Sequence, residues 1–300
     1  MRAALKWIGI ALVAIVGIVL VAGLVMYTIS GSRLNKTYDV QAESINVPSD
    51  EGSLARGEKL ATGICVGCHG PNLGGQALMD DPMIGVVYAP NLTSGAGGMA
   101  ATFSDADFVH AIRHGIGPDG KALMIMPADA FIHFSEEDLG SIIAYLRGAP
   151  PIDNTVPARR LTPMARVLLA AGAFGPVFPV EYINHDTPYP PMPEIGANVA
   201  YGEYLGTLCA TCHGPKLSGM QPSDPESAVA PNLTLGGELA GWTEQDFITA
   251  IETGVTPGGH MLNNDYMPWQ EFSDAFSEDE LRGVYMYLQT LPALGFGEGS

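Results

Sequence analysis

Two pentapeptides constrain this chain more than anything else in it: Cys65, Val66, Gly67, Cys68, His69 and, later, Cys209, Ala210, Thr211, Cys212, His213. Each is a C-x-x-C-H, and each is followed by Gly-Pro (Gly70 with Pro71, Gly214 with Pro215). Two thiols three residues apart on one helical turn can add to the two vinyl groups of a single porphyrin. The adjacent histidine then lies under the iron as an axial ligand. A structural zinc site, a disulfide or a redox dithiol could use the same spacing. The two copies together use all four cysteines of the chain. That favours two covalently attached haem c groups, held by Cys65 and Cys68 and by Cys209 and Cys212, with His69 and His213 on the metal.

The duplication extends well beyond these motifs. Ala89, Pro90, Asn91, Leu92, Thr93 matches Ala230, Pro231, Asn232, Leu233, Thr234; Asp107 with Phe108 matches Asp246 with Phe247; Met126 with Pro127 matches Met267 with Pro268. The offset stays between 139 and 144 residues, so the chain carries two copies of one module. Ser104 and Thr243 precede acidic residues as helix N-caps, and Ser135 and Ser277 do so for the closing helices. Leu139, Ile142, Ile143 and Leu146 have the helical period, as do Leu281, Val284, Tyr285 and Leu288. No alternating strand pattern of useful length occurs, which predicts an all-α chain.

Residues 8–29 carry no charge and are long enough to cross about 30 Å of hydrocarbon as a helix. Their apolar core exceeds that of a usual signal peptide and no clean A-x-A site follows, so an uncleaved anchor is expected. The expected organisation is an anchor over 1–30, a polar tether over 31–50, a module over 51–149, a Pro-rich connector over 150–194 and a second module over 195–296. The connector carries Arg159, Arg160 and Arg166 and an apolar run from Val167 to Val180. At fourteen residues with two prolines the run is too short and broken to span a bilayer, and packing between the modules is its expected role. A partner subunit or the membrane surface is the alternative. The formal charge of −18 argues against nucleic acid and against charge-driven docking on anionic lipid; a basic protein partner suits it better.

An iron held by one histidine needs a second axial partner. Thioether sulfur favours ferrous iron and raises the potential, as suits an electron carrier. Of thirteen methionines, Met126 and Met267 are the pair at matching positions, each directly before proline. Met124 and Met261 compete locally but have no counterparts. His110, His114, His133, His185 and His260 are likewise unmatched, and His114 is the one that could make a bis-histidine site. The proximal histidines must also donate their free ring N–H. The Pro90 and Pro231 carbonyls are the expected acceptors, and Phe103 and Trp242 are expected to pack near the groups.

On these residues both modules resemble class I cytochrome c domains. The run GxxLxxxCxxCHG, then APNLT, DFxxAIxxG, MP and YL is similar to the cytochrome c subunits of membrane-bound alcohol and gluconate dehydrogenases. Those subunits generally carry three haem motifs where this chain has two. The resemblance implies an electron-transfer protein, not an enzyme, with Met126 and Met267 as distal ligands. The N-terminal anchor and the haem motifs together predict a single-pass protein of the bacterial cytoplasmic membrane, its haem modules on the periplasmic face, passing electrons between periplasmic or membrane redox partners. A haem enzyme, such as a dihaem peroxidase or a thiosulfate-oxidising cytochrome, is the alternative.

Overall fold

The computed structural model describes residues 2–221 and 228–299. It opens with α1 (Arg2–Leu34), a helix of 33 residues that is long and apolar enough to cross a membrane. Intrahelical bonding satisfies every interior N–H and C=O, which is the condition for passing through lipid. Residues 2–22 are exposed throughout, and only the last turns touch the rest of the chain.

The helix runs four residues past the boundary expected at residue 30, and the stretch after it is a bonded strap. Thr37 forms a β-bridge with Lys121, and Tyr38 N–H donates to the Gly120 carbonyl at 2.9 Å. His110 Nε2 meets the Val40 carbonyl at 2.9 Å, and Asn46 N–H donates to Glu136 Oε1 at 3.2 Å. The strap lacks a helical period because it lies extended along the loops and helices of the first repeat.

The first repeat contains α2 (Glu51–Ile64), α3 (Val66–His69), β1 (Gln76–Asp81), β2 (Gly85–Ala89), α4 (Asp105–His114), α5 (Ala128–Phe131) and α6 (Glu136–Gly148). The connector supplies β3 (Arg160–Leu161) and α7 (Pro163–Ala170). The second repeat contains α8 (Val199–His213), α9 (Glu244–Thr253), α10 (Trp269–Ala275) and α11 (Glu278–Leu288). The caps follow from local chemistry. Ser104 and Thr243 each accept from the N–H of an aspartate three residues on, and Asp107 and Asp246 return the bond to the cap backbone.

The fold is mainly helical, but a small antiparallel sheet, β1-β2-β3, was not legible in the sequence. β2 is buried at four of its five residues and β1 is interrupted by a bulge between Ala77 and Met79. Neither strand therefore alternates between apolar and polar residues.

In both repeats the first helix crosses the last, α2 over α6 and α8 over α11. Glycine makes each crossing possible: a Cβ on Gly57 would overlap the Ser141 carbonyl oxygen, and one on Gly202 would overlap that of Gly283. Leu60, Val109, Leu139 and Ile143 pack beneath the first crossing, and Tyr201, Ile248 and Leu288 beneath the second, all at 0–1 % exposure. The two halves form one continuous apolar cluster, which α5 joins by packing on α8.

The connector's apolar run does not pack between the repeats. Leu169, Phe178 and Val180 form a second cluster with Ile116 and Ala122 of the first repeat, flanked by Leu34, Tyr38 and Val40. The run is anchored there because Arg33 pairs with Glu181 at 2.5 Å and lies 5.0 Å above the Phe178 ring.

Candidate functional site

Each C-x-x-C-H lies at the end of the helix that makes the glycine crossing. α2 breaks at Cys65 and α3 carries Val66–His69, whereas α8 runs unbroken to His213. His69 is 7 % exposed and its Nδ1 lies 2.8 Å from the Pro90 carbonyl oxygen; His213 is 6 % exposed and its Nδ1 lies 2.8 Å from that of Pro231. A carbonyl can only accept, so Nδ1–H donates and Nε2 keeps its lone pair. Burial lowers both imidazole pKa values, against the raising effect of the proline carbonyls. Both rings are thus neutral, the form that binds a metal.

The proline carbonyls are held by residues to which sequence reasoning gave no role. Asn91, fully buried, accepts from Thr93 N–H at 2.9 Å and from Thr93 Oγ1 at 2.8 Å, and donates from Nδ2 to Ile152 O at 2.6 Å. Asn232 repeats this with Thr234 at 2.9 and 2.7 Å and with Leu294 O at 2.7 Å. Each asparagine ties the loop under the histidine to the segment leaving the closing helix. Leu73 and Leu217 are a second matched pair, with φ of 58° and 57°. Their carbonyls accept from Leu92 and Leu233 N–H at 2.8 Å, pinning the same loop from the other side. The exact repetition of Asn-Leu-Thr and of the leucine was the available signal.

The four thiols are unpaired; Cys65 and Cys209 are half-buried, Cys68 and Cys212 exposed. Burial pushes the Cys65 thiol up to about 12 and that of Cys209 up to about 11. Both are protonated at neutral pH. Among the described residues no three His, Cys, Asp or Glu side chains converge as a metal cluster.

Met126 and Met267 are both half-buried at the edge of the main apolar cluster, together with Phe103 and Trp242. Phe103 meets Phe108 edge-on at 5.4 Å, and the Trp242 carbonyl accepts from Tyr285 OH at 2.9 Å. Met124 belongs instead to the connector cluster, and Met261 is 60 % exposed. His114 is fully buried and engaged at both nitrogens, by Glu43 and by His185, each at 3.1 Å. The methionine loops are held differently. Ile125, in the left-handed region at φ 70°, is bound by its N–H to Val177 O of the connector at 2.9 Å, whereas Met267 N–H bonds within its own loop, to Asn263 O at 2.9 Å.

The residues present fit a covalently held haem. Paired thiols stand beside a neutral histidine of set tautomer, and half-covered apolar side chains (Ile64, Leu92 and Phe103; Leu208, Leu233 and Trp242) surround each site. Two residues beyond Met267, Trp269 Nε1 is a buried donor without an acceptor among the described residues, suited to a carboxylate of such a group.

The profile of the cytochrome c family matches residues 54–150 and 199–292. The alcohol dehydrogenase (quinone) cytochrome c subunit of Gluconacetobacter polyoxogenes is 25% identical over 313 residues, covering 90% of this chain and 64% of that one. The fructose dehydrogenase cytochrome subunit of Gluconobacter japonicus is 27% identical over 273 residues, 80% of this chain and 53% of its own. The gluconate 2-dehydrogenase cytochrome c subunit of Pantoea cypripedii is 28% identical over 214 residues, 65% and 46% respectively. The chain thus spans less than two thirds of each of these relatives.

Proposed function

Because the chain belongs to the cytochrome c family, we propose that it is a membrane-anchored dihaem c-type cytochrome, an electron carrier with no reaction of its own. The observation that carries this is the duplicated geometry: two buried histidines, each tied at Nδ1 to a proline carbonyl at 2.8 Å and each preceded by a free thiol pair. Covalently bound haem c supplies a one-electron couple. Cys65 and Cys68 would hold one group and Cys209 and Cys212 the other, within units spanning 51–149 and 195–296. His69 and Met126 would hold the iron of the first, His213 and Met267 that of the second.

The surrounding residues have definable tasks. The proline carbonyls orient the imidazoles and raise their basicity, the asparagine locks hold those carbonyls in place, and the apolar walls exclude water. The membrane would be the bacterial cytoplasmic membrane, with both units on its outer face, where c-type attachment takes place. From Asp186 to the end, sixteen acidic residues face only Lys216 and Arg282. A basic docking face on a redox partner, such as a subunit of a dehydrogenase complex, suits that surface, and its association rate should fall as salt rises. The relatives named above are dehydrogenase subunits; no observation favours the peroxidase or thiosulfate-oxidising alternative.

Quantifying haem in the purified full-length protein tests this reading. Two haems per polypeptide should survive acid–acetone extraction; one, or none, would end it.

A further inference from the structure

The loss of exposure along α1 follows one face. Gly23 and Met26 are half-covered and Ser30 is buried, while residues 24, 25 and 27–29 stay exposed. α7 packs on the C-terminal part of this helix, at Tyr27, Ser30 and Gly31. Arg166 of α7 donates to Ser30 Oγ at 3.0 Å and to the Tyr27 carbonyl at 3.2 Å, and its guanidinium lies 3.6 Å over the Tyr27 ring. One turn later, Arg33 Nη1 donates to Leu169 O at 3.4 Å. Advancing along α7 from 166 to 169 therefore advances along α1 from about 27–30 to 33. The two helices run side by side in the same sense.

The direction matters for depth. The apolar run of α1 gives way to Ser30, Gly31 and Ser32 after Ile29, with Arg33 the next charge, and about 20 residues of helix fill the hydrocarbon thickness. Tyr27, Arg33 and Arg166 then lie at the outer lipid–water boundary, where tyrosine and arginine anchor membrane segments. Because the helices run in the same sense, the N-terminal end of α7 lies on the membrane side of Arg166. Fastened to this end is the tip of the β1–β2 hairpin: Thr162 Oγ1 donates to the Met83 carbonyl, and Thr162 N–H to that of Ile84 at 3.0 Å. Met83 is 71 % exposed and Met164 is 56 % exposed. Two large apolar side chains from separate elements are thus exposed at the joint between the hairpin tip and α7, the helix that packs on α1.

We propose that the hairpin tip and the start of α7 form a second membrane contact, with Met83 and Met164 inserted into the headgroup–acyl boundary of the bilayer that α1 crosses. The occupant is lipid, because the patch is continuous with a helix face whose own surroundings are lipid. The contact is shallow. Asp80 and Asp81 flank the tip, and Asp81 Oδ1 already accepts from Met83 and Ile84 N–H at 2.7 and 2.9 Å; carboxylates must stay at headgroup level. Net charge did not reveal this surface because it averages over the chain, whereas Arg33, Arg159 and Arg166 gather at the C-terminal end of α1. Two footholds instead of one would prevent the first repeat from swivelling on α1.

The proposal rests on α1 spanning the membrane, and the two can be tested separately. In the holoprotein, where thioether bonds consume the natural thiols, nitroxide labels would be attached at Met83→Cys and Met164→Cys, with exposed Glu252→Cys as a control. The full chain would be studied in lipid nanodiscs. Both sites should show an oxygen-to-nickel-chelate collision ratio several-fold above that of the control. Ratios equal to the control, in protein that has entered the nanodiscs, would overturn the membrane contact and leave the anchor standing; lipid would not be what covers the patch. Failure of the chain to enter nanodiscs would overturn both.

Discussion

Arg56 and Glu280 stand 224 residues apart in sequence and 2.9 Å apart in space, and their pairing joins the two repeats. Arg56 also holds Asp138 through two bonds, at 2.8 and 2.9 Å. Asp138 and Glu280 occupy equivalent positions at the N-terminal turns of α6 and α11, so one guanidinium serves both closing helices. Tyr201 OH donates to Glu280 at 2.6 Å and Tyr204 OH to Asp138 at 2.8 Å. Side-chain exposure is 13 % for Arg56, 2 % for Asp138 and 4 % for Glu280.

Arg56→Met would leave two buried carboxylates sharing no cation. Removing one partner of a buried network costs about 3–5 kcal/mol. The variant should melt well below the parent when Soret absorbance is followed against temperature. Arg56→Lys should recover only part of the loss, since an ammonium cannot grip Asp138 at two points and still reach Glu280. An unchanged melt would mean that the repeats are held by apolar contact alone.

The same cluster gives a pH dependence. Burial pushes the Glu280 pKa up, but bonds from Tyr201 and Ser277 and the charge of Arg56 outweigh it, and the net shift is downward. A carboxylate with a depressed folded pKa stabilises above its unfolded value of about 4.3 and loses that contribution as pH falls below it. Stability should therefore drop on acidification below about pH 4.3. Glu280→Gln should start lower at neutral pH and show a shallower acid limb in melts taken across pH.

Met126→Ala and Met267→Ala each remove one proposed axial sulfur. Each variant should convert half of the haem absorbance to a high-spin, CO-reactive form and leave the other half unaltered. The double variant should convert all of it. If neither single change alters the spectrum, another side chain closes the iron.

Asn91→Ala removes four bonds at a fully buried position and strands the amide hydrogen of Thr93. Unpaired buried groups make the expected loss roughly 2–4 kcal/mol. Because the loop carries the Pro90 carbonyl, the reduction potential of the first haem should shift while the second holds. Asn232→Ala should give the converse, read by redox titration of the two components.

The sequence alone displayed the two C-x-x-C-H pentapeptides proposed to hold haem and the twofold plan, because thioether attachment demands a fixed local spacing and a repeat makes each position checkable against its twin. Helix caps were legible for the same reason: Ser104 and Asp107 meet within one turn. The role of Asn91 and Asn232 was not, although the motif containing them was noticed, since bonds to Ile152 and Leu294 depend on where the closing helices deliver the chain. The destination of the connector's apolar run was decided only in three dimensions. Hydrophobicity says that a segment needs cover without saying which surface supplies it, and here Arg33 and Glu181 settle the matter from 148 residues apart. Arg56 belongs to the same class. A helical period marks which face of α2 is buried, but which carboxylates meet that face depends on how the two repeats dock, and no local pattern encodes that angle.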